Sequence, residues 1–215
     1  MKQRLFVNAL RYVALCVMLV AGTVSANASA LEAAQTLIDK MSHDMVSSLQ
    51  QESVRKSPQR IFELVNEVII PHVDFKRVSI RVLGKHWKTA TSAQRRRFAE
   101  EFRCFLIRFY GTALSEYAKD NEIPEDLITF QSVRGQPGAT HLNVHAKVHQ
   151  PNGTDVQVGY KLYLVNGTWK IVDIRVAGVS MVATYRSSFA REIRRGGLDR
   201  LIQKLAERNK TALGV

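Results

Sequence analysis

The spacing of hydrophobic positions divides the chain into three zones. From residue 31 to about residue 120, apolar side chains recur every three or four positions, which predicts amphipathic helices. From residue 141 to residue 176, apolar and polar side chains alternate, which predicts strands with one buried face. A helical period returns from Met181 onwards. Since helices must cover the apolar face of such a sheet, we expect an α+β domain.

The first zone predicts four helices, over residues 31–50, 58–70, 75–83 and from residue 91 onwards. Ser57 precedes Pro58 as an N-cap, and Thr91 pairs with Gln94 as a capping box that opens the longest helix. This helix carries a wide aromatic stripe, which by default indicates core packing: Phe98, Phe102, Phe105, Phe109, Tyr110 and Tyr117.

The second zone predicts an antiparallel meander of strands over residues 141–149, 156–164 and 170–176, with residues 129–133 as a short edge. Asn166-Gly167 is a strong hairpin signal between the last two strands. On the final strand we expect Val172, Ile174 and Val176 to share the apolar face. Two closing helices are predicted over residues 181–195 and 198–208, separated by Gly196-Gly197.

Residues 1–30 have the order of a secretory signal peptide. Basic residues come first, residues 12–21 are apolar, and small residues follow up to the cleavage-type positions Ala28 and Ala30. The alternative is a membrane anchor, but a run of about ten apolar residues is short for a bilayer span. We therefore predict that the signal is removed near Ala28 or Ala30 and that residues 31–215 form one exported domain.

The charge and the cysteines add two constraints. The chain has a formal net charge of +12, and losing Lys2, Arg4 and Arg11 with the signal leaves +9, which suits anionic membrane surfaces or acidic partners. Nucleic acid is a poor candidate partner in that compartment. After loss of Cys16 with the signal, Cys104 has no partner for an intramolecular disulfide, and we expect it to be buried in a helix.

Neither a metal site nor a catalytic group emerges from the polar residues. His141, His145 and His149 share a strand face, but neighbours four residues apart lie roughly 13 Å from each other, too far for one ion. Asp173 is predicted to point away from the apolar face and to make a structural hydrogen bond or ion pair. Ser180 suits an N-cap, because the motif of a nucleophilic serine is missing around it.

The run Arg95-Arg96-Arg97 is unusual for its position. It falls in the first turns of the longest helix, where the helix dipole disfavours positive charge by about 0.3 kcal/mol per residue. One interpretation is a solvated basic face, and the other is contact with an anionic partner or lipid surface. Arg191, Arg194 and Arg195 lie near a helix C-terminus, where the dipole favours them.

The ordered motifs of the chain resemble those of a known family. These motifs are Val82-Leu83-Gly84, Trp87-Lys88-Thr89-Ala90-Thr91 and the segment from Gly167 to Val182 that contains Gly178-Val179-Ser180-Met181. Behind a secretion signal, they resemble the MlaC family of periplasmic phospholipid-binding proteins, also called the toluene-tolerance family. The resemblance implies a curved antiparallel sheet packed against several helices, similar to nuclear-transport-factor-2-like (NTF2-like) domains, with an apolar cavity between the layers.

The same resemblance implies a function without catalysis or a cofactor. Such proteins are lipid carriers that maintain outer-membrane lipid asymmetry, with a phospholipid as ligand. Their partners are an inner-membrane ABC transporter complex and an outer-membrane lipoprotein–porin complex, and we expect a monomer. A cavity enzyme of related fold, or a binder of a small apolar ligand, is the alternative, and an acid or histidine pointing into the cavity would favour it.

Fifteen residues are predicted to contact the lipid tails, chosen by face and period or by their place in the family motifs. They are Val78, Val82, Trp87, Phe102, Phe105, Phe109, Tyr110, Val144, Tyr160, Leu162, Val172, Ile174, Val176, Val179 and Met181. Core and lipid pocket use the same residue types, so these patterns do not decide whether sheet and helices close on each other.

Overall fold

The computed structural model describes residues 21–131, 133, 136, 138–150 and 153–211, with side chains described from residue 30 to residue 210 within those ranges. Residues 1–20 of the predicted signal peptide lie outside the described residues. Within the described ranges, no helix combines the length and the hydropathy that a bilayer crossing requires.

The helices follow the predicted apolar period, with one local change. Ser57 caps its helix by accepting the Arg60 N–H, and Thr91 and Gln94 form the predicted capping box. The predicted helix over residues 58–70 instead passes into a π-helical turn and a 3₁₀ turn. The bounds are α1 Ala21–Gln50, α2 Glu52–Arg55, α3 Pro58–Leu64, the π turn Val65–Ile69, the 3₁₀ turn Ile70–His72, α4 Phe75–Leu83, α5 Lys85–Thr89, α6 Ser92–Asp120 and α7 Met181–Thr211.

The sheet is the predicted antiparallel meander, in the order β1-β2-β3-β4-β5. Asn166 and Gly167 both have positive φ, 49° and 77°, as the tight β3–β4 hairpin turn requires. Gly197, with φ of 79°, interrupts α7 and confirms the predicted break between two closing helices. The strand bounds are β1 Ile128–Phe130, β2 His141–His149, β3 Asp155–Val165, β4 Thr168–Val176 and β5 Val179–Ser180.

A β-bulge in β4 changes which side chains share a face. Lys161 of β3 pairs with Asp173, but its neighbour Leu162 pairs with Ile171, so Val172 is an extra residue in β4. The inward face therefore carries Ile171 before the bulge and Ile174 after it. The prediction that Val172 shares a face with Ile174 and Val176 is wrong for this reason, although Val172 is fully buried.

Three buried clusters make up the core. The first lies among α1, α3 and α6 and includes Leu49 and Ile61, and the second lies among α4, α6 and α7 and includes Phe98. The third packs α1 on the sheet and includes Ile38 and Trp169, whose indole N–H donates to the backbone oxygen of Ala30. The packing leaves an apolar space where these clusters approach one another.

Candidate functional site

An apolar cavity of about 380 Å³ lies where the three clusters approach one another. Its walls come from all three: Val65 from the first, Val82 and Phe102 from the second, and Ile171 from the third. The volume falls at the lower end of the range typical of ligand pockets, about 300–1,000 Å³. The cavity therefore lies between the core clusters and is not a packing defect within one of them.

Stacked aromatic rings stand on the α6 and α7 side of the cavity. The ring centroids of Phe102 lie 6.4 Å from Phe105 and 5.2 Å from Tyr185, and Phe105 stacks on Phe109 at 5.8 Å. Rings of this size fill the space between α6 and α7 and cannot collapse without leaving their preferred contacts. They hold the two helices at a fixed separation beside the cavity.

Two lining side chains reach solvent and mark the mouth. Tyr110 is 40% exposed and Val176 is 38% exposed, although both line the cavity. The Tyr110 hydroxyl donates to the Met181 sulfur at 3.1 Å and lies 3.4 Å from the Tyr185 hydroxyl. Burial and the hydrogen bond with Tyr110 raise the pKa of Tyr185, so this hydroxyl stays neutral at any physiological pH.

Asp173 is the acidic residue among the lining residues, and hydrogen bonds engage both of its oxygens. Oδ2 accepts the Ser180 hydroxyl at 2.7 Å, and Oδ1 accepts the Val182 N–H at 3.1 Å. The Ser180 oxygen in turn accepts the Ala183 N–H at 3.0 Å, which confirms its predicted capping role. The predicted structural hydrogen bond of Asp173 is confirmed as well.

The position predicted for Asp173 is nevertheless wrong. It was expected to point away from the apolar cavity, yet it is one of the lining residues. The reason is that its carboxylate holds the start of α7, and the first residues of α7, Met181 and Val182, form part of the cavity wall.

Comparison with known proteins assigns the chain to a family. The sequence profile of the family described as MlaC protein matches residues 39–207, most of the chain. The chain belongs to the MlaC family. It is 30% identical over 149 residues to toluene tolerance protein ttg2D of Pseudomonas putida, a match covering 69% of this chain and 66% of that protein.

Two further MlaC-type relatives extend the comparison. The chain is 25% identical over 192 residues to the intermembrane phospholipid transport system binding protein MlaC of Haemophilus influenzae, covering 88% of this chain and 86% of that protein. It also superposes with a TM-score of 0.71 and 28% identity on a phospholipid-binding protein from Ralstonia solanacearum, solved in complex with a phospholipid. That match covers 83% of this chain and 98% of the other.

In this MlaC-family chain, the structure brings together seven of the fifteen predicted tail-contact residues. These seven line the cavity: Val78, Val82, Phe102, Tyr110, Ile174, Val176 and Met181. They come from α4, α6, β4 and α7. Six of them follow from the apolar periods, although the bulge corrects the face predicted for Val172 in β4, and Met181 follows from the family motif. Contact of these side chains with lipid stays a prediction.

The other eight predicted residues lie outside the lining, for three reasons. Val144, Tyr160 and Leu162 belong to the half of the sheet that α1 covers, and burial raises the pKa of Tyr160 to about 12. Trp87 and Phe105 pack in the α4–α6–α7 cluster, and the Arg95 guanidinium lies over the Trp87 ring. The remaining three sit at the bulge or on the surface: Val172, Phe109 (54% exposed) and Val179 (55% exposed).

Thirteen lining residues of this MlaC-family cavity were not predicted. They are Met45, Val65, Ile69, Ile70, Val73, Phe75, Leu106, Ile107, Leu114, Ile171, Asp173, Val182 and Tyr185. Most lie on α1, on the π and 3₁₀ turns, or on α6, where their apolar period is that of ordinary core residues. The Pro71 stop was visible in the sequence, but the π turn before it carries no comparable signal.

Two other sequence predictions concern residues away from the cavity. Cys104 is half-buried rather than buried, and desolvation raises the pKa of its thiol. The three strand histidines are spread along β2, and the His149 Nδ1 lies 2.7 Å from an Asp155 oxygen, a bond that lowers the pKa of that carboxyl.

Proposed function

We propose that this MlaC-family protein is a periplasmic phospholipid carrier that holds acyl tails in the apolar cavity and leaves the headgroup at the mouth. The observation that carries the proposal is a cavity with almost wholly apolar walls that reaches solvent at Tyr110 and Val176. It occurs in a chain whose fold matches that of a protein solved with a phospholipid bound.

The energetics of transfer favour this division between tails and headgroup. Each methylene taken out of water gains about 0.8 kcal/mol, so free acyl tails in the periplasm face a large barrier that a cavity removes. A charged headgroup buried without partners would cost several kcal/mol, roughly 5 or more. A mouth edged by the Tyr110 hydroxyl lets the tails enter while the headgroup stays hydrated.

We further propose that the mature domain, residues 31–215, works as a monomer between two membranes. It would exchange lipid with an outer-membrane lipoprotein–porin complex and an inner-membrane ABC transporter complex, and so maintain outer-membrane lipid asymmetry. The description of the Haemophilus influenzae relative as an intermembrane transport system binding protein supports this part.

The hydrogen bonding of Asp173 distinguishes a carrier from the alternative, a cavity enzyme. A catalytic base needs a free lone pair directed at its substrate and a pKa matched to the working pH. Both Asp173 oxygens instead accept hydrogen bonds from Ser180 and from the Val182 backbone, an arrangement that stabilises the start of α7. The arrangement supports a structural carboxylate, and therefore carriage over catalysis.

The direct test is native mass spectrometry of the mature protein purified without detergent, followed by solvent extraction. We expect adduct masses that match diacyl phospholipids, which would also count the tails held. A bare protein mass that persists after incubation with phospholipid vesicles would contradict the proposal.

A paired substitution then tests whether the tails occupy this cavity. Val176 lines it, whereas Val179, its partner in the β4–β5 pairing, is exposed and lies outside it. Val176→Asp places a charge on the cavity wall at the mouth and should reduce co-purifying lipid about tenfold, because the acyl tails would lose an apolar contact and meet a hydrated carboxylate. Val179→Asp, the matched control, should leave the lipid content unchanged. Equal lipid content in the two folded variants would show that the acyl tails bind outside this cavity.

A further inference from the structure

Nearly all of the net charge of the chain lies on two short stretches. Residues 75–97 contain eight Lys or Arg and no acidic residue, and residues 181–200 contain five Arg against Glu192 and Asp199. Together these stretches carry +11 of the formal +12, so the rest of the chain is close to neutral. Such a concentration is not explained by a generally basic composition.

The fold places the two stretches side by side. The Arg186 Nε donates to the backbone oxygen of Arg81, which joins α7 to α4, and the Gln94 amide donates to Asp199, which joins the start of α6 to the second half of α7. The Arg95 guanidinium bonds the backbone of α5. We call the surface where the two stretches adjoin the basic face. The stretches contain thirteen cations, of which Arg77 also pairs with Asp74 and lies over the Tyr163 ring: Lys76, Arg77, Arg81, Lys85, Lys88, Arg95, Arg96, Arg97, Arg186, Arg191, Arg194, Arg195 and Arg200.

Several of these cations have no internal role. Arg96, Arg97, Arg191 and Arg194 are exposed, and none of them has an ion-pair or hydrogen-bond partner for its side chain among the residues that the structure describes. Arg96 and Arg97 lie just beyond the first turn of α6, so they gain nothing from the helix dipole, which favours negative charge at that end. Side chains that serve no contact inside the molecule are available to a partner outside it.

The chemistry of the basic face suits a layer of phosphate groups. Ten of its thirteen cations are arginines, whose planar guanidinium pairs with phosphate oxygens through two hydrogen bonds. A protein partner would need apolar or aromatic anchors at the centre of its interface. Of the large apolar side chains exposed in the described part of the chain, Ile80 falls within the two stretches, whereas Phe109, Tyr110, Val176 and Val179 lie outside them.

We infer that the basic face docks the protein on the surface of an anionic phospholipid bilayer. The helices that carry the charge on their outer side, α4, α6 and α7, line the cavity on their inner side with Val78, Phe102 and Tyr185. Docking therefore brings the cavity close to the bilayer. The inference goes beyond lipid carriage and does not depend on it, since an empty protein would dock equally well.

The test compares vesicles of phosphatidylcholine with vesicles that also contain phosphatidylglycerol, using the full mature protein in a sedimentation assay. We expect binding to the anionic vesicles that weakens as salt is added, and much weaker binding to the neutral ones. The double variant Arg96→Gln/Arg194→Gln should bind anionic vesicles about 25-fold less, roughly fivefold for each charge removed near the surface.

Arg60→Gln/Lys119→Gln is the matched control, because both residues are exposed, lie outside the basic face and change the net charge equally. It should keep most of the binding. Equal binding to the two vesicle types, or equal loss in the two double variants, would overturn the inference. Unchanged binding of the Arg96→Gln/Arg194→Gln variant to anionic vesicles would overturn it as well. Lipid adducts counted on the same samples report the carrier function separately.

Discussion

Asp173 illustrates how a single buried side chain joins two elements. The residue is 5% exposed, and its carboxylate accepts hydrogen bonds from the Ser180 hydroxyl and the Val182 N–H. Two unsatisfied donors at the start of α7 thereby find acceptors, and α7 is tied to β4. The two oxygens of a carboxylate accept from both donors at once, whereas an amide offers one oxygen and an N–H group.

Asp173→Asn should therefore lower the free energy of unfolding by about 2 kcal/mol, since one buried donor faces the amide nitrogen and loses its acceptor. Urea unfolding of the mature protein measures the change. The control is Asp155→Asn, which removes an exposed carboxylate whose pKa is lowered by its bond with His149, and which should have a much smaller effect. Equal effects at the two positions would show that burial contributes nothing at Asp173.

At the scale of elements, α3 and α6 approach closely at one glycine. A Cβ added at Gly111 would lie 2.6 Å from two ring carbons of Phe62, closer than such atoms can come. The missing side chain therefore lets the Phe62 ring lie directly on α6, beside the cluster formed by α1, α3 and α6. A glycine inside a long helix costs backbone entropy, and this contact is what compensates for it.

Gly111→Ala should consequently destabilise the protein by about 1 kcal/mol, because overpacking against Phe62 exceeds the gain in helix propensity. Thermal or urea unfolding measures it. Gly196→Ala is the matched control: its Cβ would meet the Arg200 Cδ at 2.3 Å, but this is a flexible exposed side chain that can move away. That variant should be neutral or slightly stabilised. If Gly111→Ala proves stabilising, the Phe62 ring is free to move and the close approach is not rigid.

At the scale of the whole molecule, the cavity exists because the core is divided. Each of the three clusters is completed by a different pair or triplet of elements, and α1 contributes to two of them. When the cavity among them is empty, the side chains that line it lack van der Waals contacts on one side. A bound ligand of matching chemistry should therefore stabilise the folded state.

Removal of co-purified lipid by solvent or detergent exchange should lower the melting temperature, and adding phospholipid should restore it. A ligand at 100 times its dissociation constant contributes about 2.7 kcal/mol, or roughly 5–10 °C for a chain of this size. Differential scanning calorimetry makes the comparison, and the Val176→Asp variant should show no such shift. A melting temperature independent of lipid in the original protein would mean that the cavity is not the binding site.

Local signals in the sequence predict the long helices and strands and their order, but not the short elements α2, α5 and β5 or the π turn. The periods of apolar residues, the Thr91 capping box, the Asn166-Gly167 hairpin and the break at Gly197 are local signals, each set by a few neighbouring residues. Six lining positions, Val176 among them, followed from the same periods because they lie on the inner faces of helices and strands, and Met181 followed from the family motif.

Which apolar faces meet and which remain apart depends on the packing of elements that are distant in sequence. The bulge at Val172 reverses the alternation of β4, and α1 covers Val144 and Leu162, so residues of identical chemistry fall either in the core or on the cavity wall. The side-by-side placement of the two basic stretches is likewise a property of the packed helices, since about 100 residues separate Arg81 from Arg186 along the chain. The hydrophobic period of a sequence predicts the face of the helix or strand on which a side chain lies. The partner against which that side chain packs depends on elements that are distant in sequence.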